Sequence, residues 1–434
     1  MRHTVSIILV AAMPLCVAAQ KIKPSRIGKV RKELWAKHVK DVAAQTPQAL
    51  NGAWPSLTDM QPGRHGALAL PTDMESDKYG NAVTLNYFYG YKGSAPSAHK
   101  PSPLFMWLHG SGPRQQEWET GLQLCQRFDD APSVYLIPQI PQEGKWYRWY
   151  QQSKQWAYKT ILRQLLARAD IDPSRLYLLG VSEGGYGSQR LASFYADYLA
   201  AAGPMAGGEP LKNAPAENLQ HTAFSLRTGA KDYGFYRDQL TLCTKMALDS
   251  LQRLVPGAYR HWVETIPGYG HGIDYSPTPK YLSGFQRTAL PSQFTWEDFE
   301  MDGIHRSGFY YLAVDRRPCD SLRTRYDVHI ERSADGSSII HIDVRNVHYR
   351  TTVTDPRWGI ELMFARTYEP ATGGCLTLFL DEHLVDLGKK VVLLVNGVER
   401  YAGQLTLDRR TLQRSIDLWG DPLRLLPAAI TASY

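Results

Sequence analysis

Short apolar runs alternate with helical segments between residues 67 and 290, and this pattern constrains the fold more than any other feature. Runs of four to eight apolar residues bounded by Gly and Pro are typical of buried strands. Strands that alternate with helices form a mostly parallel sheet. The sequence therefore predicts an α/β domain over residues 67–291. We expect strands at 67–70, 82–89, 104–108, 134–137, 176–179, 224–227 and 259–266, and helices at 153–169, 185–199 and 236–254.

The pattern changes after Pro291, where predicted strands follow one another with little helix between them. Asn396-Gly397 lies between two apolar runs and is a strong signal for a two-residue hairpin turn. A helix is expected near residues 407–419. The region 292–434 is therefore predicted to be a β-rich, sandwich-like domain. Its expected strands lie at 309–314, 326–331, 339–345, 360–365, 376–380, 391–395 and 398–401.

Residues 1–19 have the pattern of a cleavable signal peptide. Arg2 and His3 precede an apolar run, and Ala18-Ala19 supplies the small residues of a cleavage site. The run is too short to span a bilayer comfortably, so we expect no membrane span. The alternatives are a buried first helix or, less well supported because Leu15 precedes it, lipidation at Cys16. The sequence thus predicts export, periplasmic or extracellular, with Gln20 as the new N-terminus.

The remaining cysteines give little support to a disulfide framework or a metal site. Removal of the signal peptide would leave four widely spaced cysteines, which still allow one or two bridges. No C-x-x-C pair is present, so a structural zinc site has no support in the sequence. We expect no metal and no cofactor. The four residues are Cys125, Cys243, Cys319 and Cys375.

The formal net charge of +7 is concentrated in a predicted N-terminal arm, residues 20–66. Residues 21–41 hold eight lysines and arginines against Glu33 and Asp41, whereas the rest of the chain is nearly neutral. The basic character therefore gives no reason to expect a nucleic-acid partner for the main body. Within the arm, a loose apolar stripe predicts a helix. That helix either packs on the main body as a solvated amphipathic helix or contacts a polyanion or membrane surface.

Residues 180–184 form a G-x-S-x-G motif centred on Ser182. The motif directly follows the predicted strand 176–179 and opens a predicted helix. A strand–turn–helix bend of this kind lifts the serine hydroxyl above the sheet and leaves the next backbone N–H free at the helix start. A tight turn that merely needs small residues is the alternative. The context favours Ser182 as a nucleophile.

A serine nucleophile needs a base and a carboxylate that orients the base. Asp232 follows the predicted strand 224–227, and His271 follows the strand 259–266, both in glycine-rich loops. The order serine, acid, histidine along successive strands predicts a Ser182–Asp232–His271 triad. Asp238 is a second choice for the acid. His261 and His221 are weaker candidates for the base.

An acyl transfer also needs hydrogen-bond donors for the developing oxyanion. His109-Gly110-Ser111-Gly112 ends the predicted strand 104–108, where such a loop belongs. We expect the backbone N–H of Ser111 or Gly112 to act together with that of Glu183. His109 is expected to pack against the loop and orient it.

These residues resemble the α/β-hydrolase superfamily. Residues 67–290 are similar to the catalytic domains of prolyl-oligopeptidase-type hydrolases and of secreted polysaccharide and polyester esterases, a likeness that extends to residues 172–177 and to Gly184-Gly185. The β-rich region resembles appendages of secreted bacterial esterases. Glu183 departs from the pattern, since relatives more often carry an uncharged residue there. Its carboxylate is expected either to form a salt bridge or to face the substrate and repel acidic groups.

An aromatic cluster at residues 146–150, with Trp156 nearby, indicates a substrate class. Flat aromatic faces stack on sugar rings, so we expect Trp146 and Trp149 to bind substrate and Arg148 to meet a uronate carboxylate. Packing within the domain is the alternative for each. The sequence thus predicts a secreted serine esterase that removes acetyl, methyl or feruloyl groups from polysaccharides. A prolyl-oligopeptidase-type peptidase and a non-catalytic carbohydrate-binding protein are the alternatives.

Overall fold

The computed structural model describes residues 20–144 and 148–434. The predicted signal peptide and Trp146 lie outside the described residues. Within these ranges, no helix combines the length and apolar character needed to cross a membrane. The four described cysteines are not joined in disulfides, so the bridges that the sequence allowed are not formed.

An eight-stranded sheet occupies the first part of the chain. Its strands are β1 (Gly66–Ala69), β2 (Thr84–Lys92), β3 (Ser102–Leu108), β4 (Ser133–Pro138), β5 (Ile171–Val181), β6 (Ala201–Met205), β7 (Ala223–Gly229) and β8 (His261–Ile266). They lie in the order β1-β2-β4-β3-β5-β6-β7-β8. β1 and β2 pair antiparallel, and β2 also pairs antiparallel with β4. The other neighbours pair parallel, which confirms the predicted α/β fold and gives the sheet of an α/β-hydrolase.

Helices cover both faces of this sheet because its central strands are apolar on both sides. The α-helices of the described residues are α1 (Ile27–Gln45), α2 (Gln48–Asn51), α3 (Arg114–Arg127), α4 (Gln152–Leu166), α5 (Glu183–Phe194), α6 (Arg237–Leu254), α7 (Pro277–Leu282) and, in the C-terminal part, α8 (Arg409–Trp419). Leu104 of β3 joins the same core cluster as Ile161 of α4 and Leu191 of α5. Its neighbour Phe105 joins a second cluster with Trp118 of α3. Successive residues of one strand therefore bury against opposite layers.

Two further sheets form the C-terminal part. A six-stranded sheet contains β9 (Gln293–Asp298), β12 (Arg323–Arg332), β13 (Ser338–Thr354), β14 (Glu361–Pro370), β16 (Lys390–Val395) and β17 (Val398–Gln404). A four-stranded sheet contains β10 (Gly308–Phe309), β11 (Leu312–Arg316), β15 (Cys375–Leu380) and β18 (Ala428–Ser433). Trp296 of β9 stacks on Phe309 of β10 with ring centroids 5.4 Å apart, so the two sheets pack face to face. The predicted hairpin turn is present, with positive φ at Asn396 and Gly397.

The basic N-terminal helix α1 packs on α8 of the C-terminal part. Leu34 lies in a small apolar cluster with Leu412 and Ile416, and Arg31 forms an ion pair with Glu382. The first of the two possibilities for the arm, packing on the main body, is therefore observed. Most of the other basic side chains of this segment are exposed.

A buried charge network joins the two sheet systems. Asp197, which follows α5, accepts hydrogen bonds from Arg306 at 2.8 Å and from Arg424 at 2.6 Å. Asp421 pairs with Arg424 at 2.7 Å and with Arg287 of the first part. The apolar core is also shared, since one cluster contains residues of both parts. The change from one sheet system to the other falls between β8 and β9, around the predicted boundary at residue 291.

Candidate active site

Ser182 lies in a sharp turn between β5 and α5. Its φ is +55°, a strained value for a residue with a side chain. The flanking glycines are required by close packing: a Cβ at Gly184 would lie 2.1 Å from the carbonyl oxygen of Leu108, and one at Gly180 would lie 2.0 Å from the Gly184 carbonyl oxygen. The turn therefore presents the serine hydroxyl at the carboxyl edge of the sheet, as the motif predicts.

The structure brings Ser182, His271 and Asp232 into one hydrogen-bonded chain. His271 Nε2 lies 3.0 Å from Ser182 Oγ, and His271 Nδ1 lies 2.7 Å from Asp232 Oδ2. With Nδ1–H donating to the carboxylate, Nε2 carries the lone pair that can accept the serine proton. Both distances are within the range for proton transfer between hydrogen-bonded groups. This arrangement can activate the serine as a nucleophile.

The rival candidates lie elsewhere and have other partners. His261 Nε2 lies 3.0 Å from Asp249, and His221 Nε2 lies 2.7 Å from the backbone carbonyl oxygen of Gln293. Asp238 lies in the first turn of α6. None of these three residues takes part in the Ser182 chain.

Arg237 is a site residue that the sequence reasoning missed. Its Nη2 and Nε donate to the two carboxylate oxygens of Asp232 at 2.6 and 2.9 Å. Burial by itself would raise the pKa of Asp232, but the hydrogen bonds from His271 and Arg237 outweigh burial and lower it below its ordinary value. The carboxylate is thus held ionised and fixed in two directions. The five-residue spacing from Asp232 was the available signal.

The loop at residues 109–112 lies beside the serine. Ser111 lines the same cleft as Ser182 and Glu183. A Cβ at Gly110 would lie 3.4 Å from Ser182 Cβ, whereas one at Gly112 would lie 2.3 Å from Oε1 of Glu117. Gly112 thus faces α3 closely, and Ser111 opens to the cleft. Glu183 is the first residue of α5, a position whose backbone N–H has no acceptor within the helix.

His109 is buried and supports this loop through its ring. Its Nε2 accepts the backbone N–H of Ile140 at 3.1 Å, and its Nδ1 lies 2.7 Å from the Gly110 carbonyl oxygen. Burial lowers the pKa of His109 to about 4, so the ring is neutral at physiological pH. These contacts agree with an orienting role.

Trp149 does not offer a face to substrate, so its predicted role in binding is wrong. The side chain is fully buried, and its Nε1 donates to the His109 carbonyl oxygen at 2.9 Å. Its packing is tight, since a Cβ at Gly187 would lie 2.4 Å from Trp149 Cβ. Trp156 is partly buried against the core. Arg148, by contrast, is exposed and lines the cleft beside Ser182.

The Glu183 carboxylate only partly matches the two expectations for it, which were a salt bridge or a position facing the substrate. Its carboxylate lines the cleft but is nearly buried, and it accepts the backbone N–H of Arg148 at 3.1 Å. Burial raises the pKa of Glu183, and the neighbouring Glu209 carboxylate adds to this increase. The side chain thus contributes to the floor of the cleft, next to the arginine predicted to bind substrate.

A cleft of about 440 Å³ opens beside Ser182. Its walls combine charged and apolar side chains, and one wall comes from the loop between β13 and β14 in the C-terminal part. That contribution was not predicted from the sequence. The residues that carry charge or line this distant wall are Arg148, Glu183, Arg190, Glu209, Arg237, Gly359, Ile360 and Glu361.

No family model matches the chain. A poly(3-hydroxyalkanoate) depolymerase C from Paucimonas lemoignei is 25% identical over 200 residues, which are 41% of this chain and 47% of that protein. The chain thus spans about half the length of this curated relative.

Solved structures with a similar backbone include esterases and a serine hydrolase. A thermostable esterase is 20% identical, with 51% of this chain and 63% of that chain covered and a TM-score of 0.38. A ferulic acid esterase from Anaeromyces mucronatus is 14% identical, with 52% and 92% covered and a TM-score of 0.34. A fluorophosphonate-binding serine hydrolase of Staphylococcus aureus is 16% identical, with 51% and 98% covered and a TM-score of 0.36. The strand order and the serine turn show that this protein has the α/β-hydrolase fold.

Proposed function

We propose that the protein is a serine hydrolase that cleaves carboxylic esters through an acyl-enzyme. The hydrogen-bonded chain from Ser182 through His271 to Asp232, with distances of 3.0 and 2.7 Å, carries this proposal. In such a chain the serine, the base and the orienting carboxylate occupy the positions that nucleophilic catalysis requires. The likeness to a depolymerase and to esterases is consistent with it.

In the proposed mechanism, Ser182 Oγ attacks the ester carbonyl while its proton passes to His271 Nε2. The backbone N–H groups of Ser111 and Glu183 stabilise the oxyanion of the tetrahedral intermediate. Collapse of the intermediate expels the alcohol, which takes the proton from His271 and leaves an acyl group on Ser182. Water, activated by the same histidine, then attacks the acyl-enzyme and restores the serine. Asp232 stays ionised throughout and stabilises the imidazolium.

The substrate that we propose is a polysaccharide carrying acetyl, methyl or feruloyl esters. Support comes from charged side chains that line the cleft, since Arg148 and Glu361 offer partners for hydroxyl groups. The signal-peptide pattern of residues 1–19 supports export of the enzyme to where such polymers occur.

The test compares the wild type with Ser182→Ala on short-chain nitrophenyl esters, acetylated and methyl-esterified polysaccharides, feruloyl esters and a peptide panel. We expect ester turnover by the wild type and its loss in the variant. Ser97→Ala, a change at an exposed serine remote from the cleft, is the matched control and should keep full activity. Ester turnover that survives Ser182→Ala contradicts the mechanism. Peptide cleavage without ester cleavage contradicts the proposed reaction.

A further inference from the structure

The loop between β13 and β14 reaches from the C-terminal part to the cleft beside Ser182. Gly359 and Ile360 of this loop, and Glu361 at the start of β14, line the same cleft as the proposed nucleophile. These residues are more than 170 positions from Ser182 in the sequence, and a separate sheet carries them. The catalytic cleft is therefore incomplete without the C-terminal part.

Internal hydrogen bonds give this loop a defined shape. The Asp355 carboxylate accepts backbone N–H groups from Arg357 at 2.7 Å, from Trp358 at 2.9 Å and from Ile360 at 3.0 Å. At Gly359 the φ is +67°, which favours glycine at the bend. A loop whose backbone donors are satisfied in this way holds its side chains in fixed positions.

Contacts on both sides of the cleft fix the loop to the catalytic part. Lys212 Nζ lies 3.1 Å from both carboxylate oxygens of Glu361. The Asp355 carboxylate lies close to the Tyr236 hydroxyl, and hydrogen bonding between them raises the pKa of that tyrosine. On the same strand as Glu361, Arg366 pairs with the buried Glu217 at 2.5 Å. The hairpin is thus held against the cleft at several points.

An aromatic pair lies where the loop meets the catalytic part. The ring of Trp358 lies 4.6 Å from the ring of Phe235, tilted by 41°, and 44% of Trp358 is exposed. Phe235 lines the cleft itself. It and Tyr236 have φ values of +53° and +56°, rare for residues with large side chains. Strain of this kind persists where the surroundings enforce it, and it is concentrated at ligand sites.

The combination of aromatic rings with polar groups matches the chemistry of a sugar. A pyranose ring has an apolar C–H face that stacks on an aromatic ring and a rim of hydroxyls that needs hydrogen-bond partners. The exposed tryptophan offers the first surface, and Arg148, Asn213 and Glu361 in the cleft offer the second. A purely hydrocarbon segment would desolvate these polar groups and offer them no hydrogen bond in return.

We propose that Trp358, together with Phe235, forms a platform that binds a sugar residue of the substrate next to the ester that is cleaved. This inference rests on the proposed function and assigns the C-terminal part to substrate recognition. The β13–β14 loop then determines which esters the enzyme uses well, whereas the Ser182 chain performs the reaction.

The test uses the full-length chain with Trp358→Ala, Trp358→Phe and the matched control Met363→Ala, which removes an exposed apolar side chain from the same hairpin. For an acetylated oligosaccharide we expect Trp358→Ala to raise KM about tenfold, in line with the loss of one stacking contact. Trp358→Phe should recover most of this loss, and Met363→Ala should behave like the wild type. Met363→Ala should also leave turnover of nitrophenyl acetate unchanged, whereas Trp358→Ala should affect the oligosaccharide far more than nitrophenyl acetate.

Several outcomes would overturn the platform. An equal loss on nitrophenyl acetate and on the oligosaccharide would show a structural defect instead. A loss confined to methyl ferulate would make the platform a site for an aromatic acyl group, and no loss on any substrate would show that it binds nothing. Binding of the unesterified oligosaccharide to Ser182→Ala, with and without Trp358→Ala, tests the platform separately. If the wild type cleaves no ester but this affinity still depends on Trp358, the proposed function fails and the platform stands.

Discussion

At the scale of single residues, the Asp232 carboxylate has two partners: Arg237, which is cationic, and His271, which becomes cationic when it accepts a proton. His271 occupies one carboxylate oxygen, and Arg237 reaches both. A carboxylate that only oriented the histidine would need one of these contacts. The second fixes the plane of the carboxylate and keeps it ionised at lower pH, since the bound guanidinium favours the charged form. Arg237 is thus a positioning residue for the proposed base.

We predict that Arg237→Gln lowers kcat/KM by about 10- to 100-fold, because small displacements of catalytic groups have effects of this size. The acid limb of the pH–rate profile should also move to higher pH. Without the guanidinium, the effect of burial on Asp232 is opposed less, so the carboxylate takes up its proton at a higher pH. A pH–rate profile with nitrophenyl acetate measures both effects.

The matched control for this prediction is Arg190→Gln. Arg190 lines the same cleft but pairs with Glu209 at 2.7 Å and does not contact Asp232. Its replacement removes a positive charge from the cleft and should leave the acid limb in place. An equal shift in both variants would mean that the general charge of the cleft, and not the contact with Asp232, sets the profile.

Glu183 gives a prediction about stability instead of turnover. Burial raises its pKa above the ordinary value of 4.5, so the folded chain binds this proton more tightly than the unfolded chain does. The resulting contribution to stability is complete below pH 4.5 and is lost as the pH rises through the raised pKa. Glu183→Gln should therefore gain thermal stability relative to the wild type as the pH rises from below 4.5 to neutral pH, because only the wild type has a buried carboxyl group that loses its proton.

Melting curves of the two proteins at the ends of this range measure that gain. Glu119→Gln, a change at a partly exposed carboxylate of α3, is the control and should show no comparable trend. If the difference in Tm between Glu183→Gln and the wild type is the same at both pH values, the buried carboxylate does not influence folding in this way.

At the scale of elements, the sequence predicted strands best where apolar runs are continuous. β3, β4 and β5 each contain such a run, and all three were expected. β6 was missed, because its residues Ala201–Met205 are Ala-Ala-Gly-Pro-Met and none of them is β-branched or aromatic. Packing decides its composition: a Cβ at Gly203 would lie 2.5 Å from Thr278 Cγ2 of α7. Small residues are needed there, and they hide the strand from a pattern of apolar runs.

We predict that Gly203→Ala destabilises the protein by about 1–3 kcal/mol, the usual effect of overpacking a core. Thr278→Ser removes the methyl group nearest to the added Cβ and should recover part of the loss in the double variant. Leu282 Cδ1 and Leu179 Cδ2 lie 3.0 and 3.2 Å away, so recovery should be incomplete. Urea unfolding of the four proteins measures the coupling. Strict additivity would show that Thr278 is not the neighbour that resists the change.

The candidate site also contains residues that the sequence could predict and residues that it could not. Ser182, Asp232 and His271 could be predicted because each follows a successive strand, and parallel strands bring their carboxyl ends to one edge. The burial of Trp149 could not be predicted, since the sequence pattern around an aromatic residue in a loop between two strands is the same whether its side chain is buried or exposed. Trp358 lies in a loop that joins two strands of another sheet, and its distance from the motif along the chain concealed its place beside the cleft.

At the scale of the whole molecule, the two sheet systems depend on each other through buried charges. Asp197 is fully buried and is paired only with arginines of the C-terminal part among the described ion pairs. Burying ions is costly, and the cost is offset only while every partner is present. The network therefore favours one relative placement of the two parts, which is also the placement that closes the cleft with the β13–β14 loop.

Removal of one member of this network should be far more damaging than loss of a surface ion pair. We predict that Asp197→Ala lowers the free energy of unfolding by about 3–5 kcal/mol, because buried Arg306 loses its carboxylate partner and Arg424 keeps only Asp421. Lys245→Ala, which breaks a partly exposed pair with Asp249, should cost about 1 kcal/mol or less. Denaturant titrations measure both values. Similar values would mean that water reaches Asp197 in the folded protein.

Truncation after residue 291 tests whether the α/β part can exist alone. The cut would expose Asp197 and Arg287, whose partners lie beyond it, together with apolar side chains of the shared core such as Phe194, which packs on Phe299. We therefore expect residues 20–291 to aggregate or to lack a cooperative thermal transition, and the full chain to unfold in a single transition. Size-exclusion chromatography and calorimetry measure these properties. A soluble, cooperatively folded fragment with normal turnover of nitrophenyl acetate would instead make the C-terminal part an independent domain, whose contribution is confined to the substrate beyond the ester.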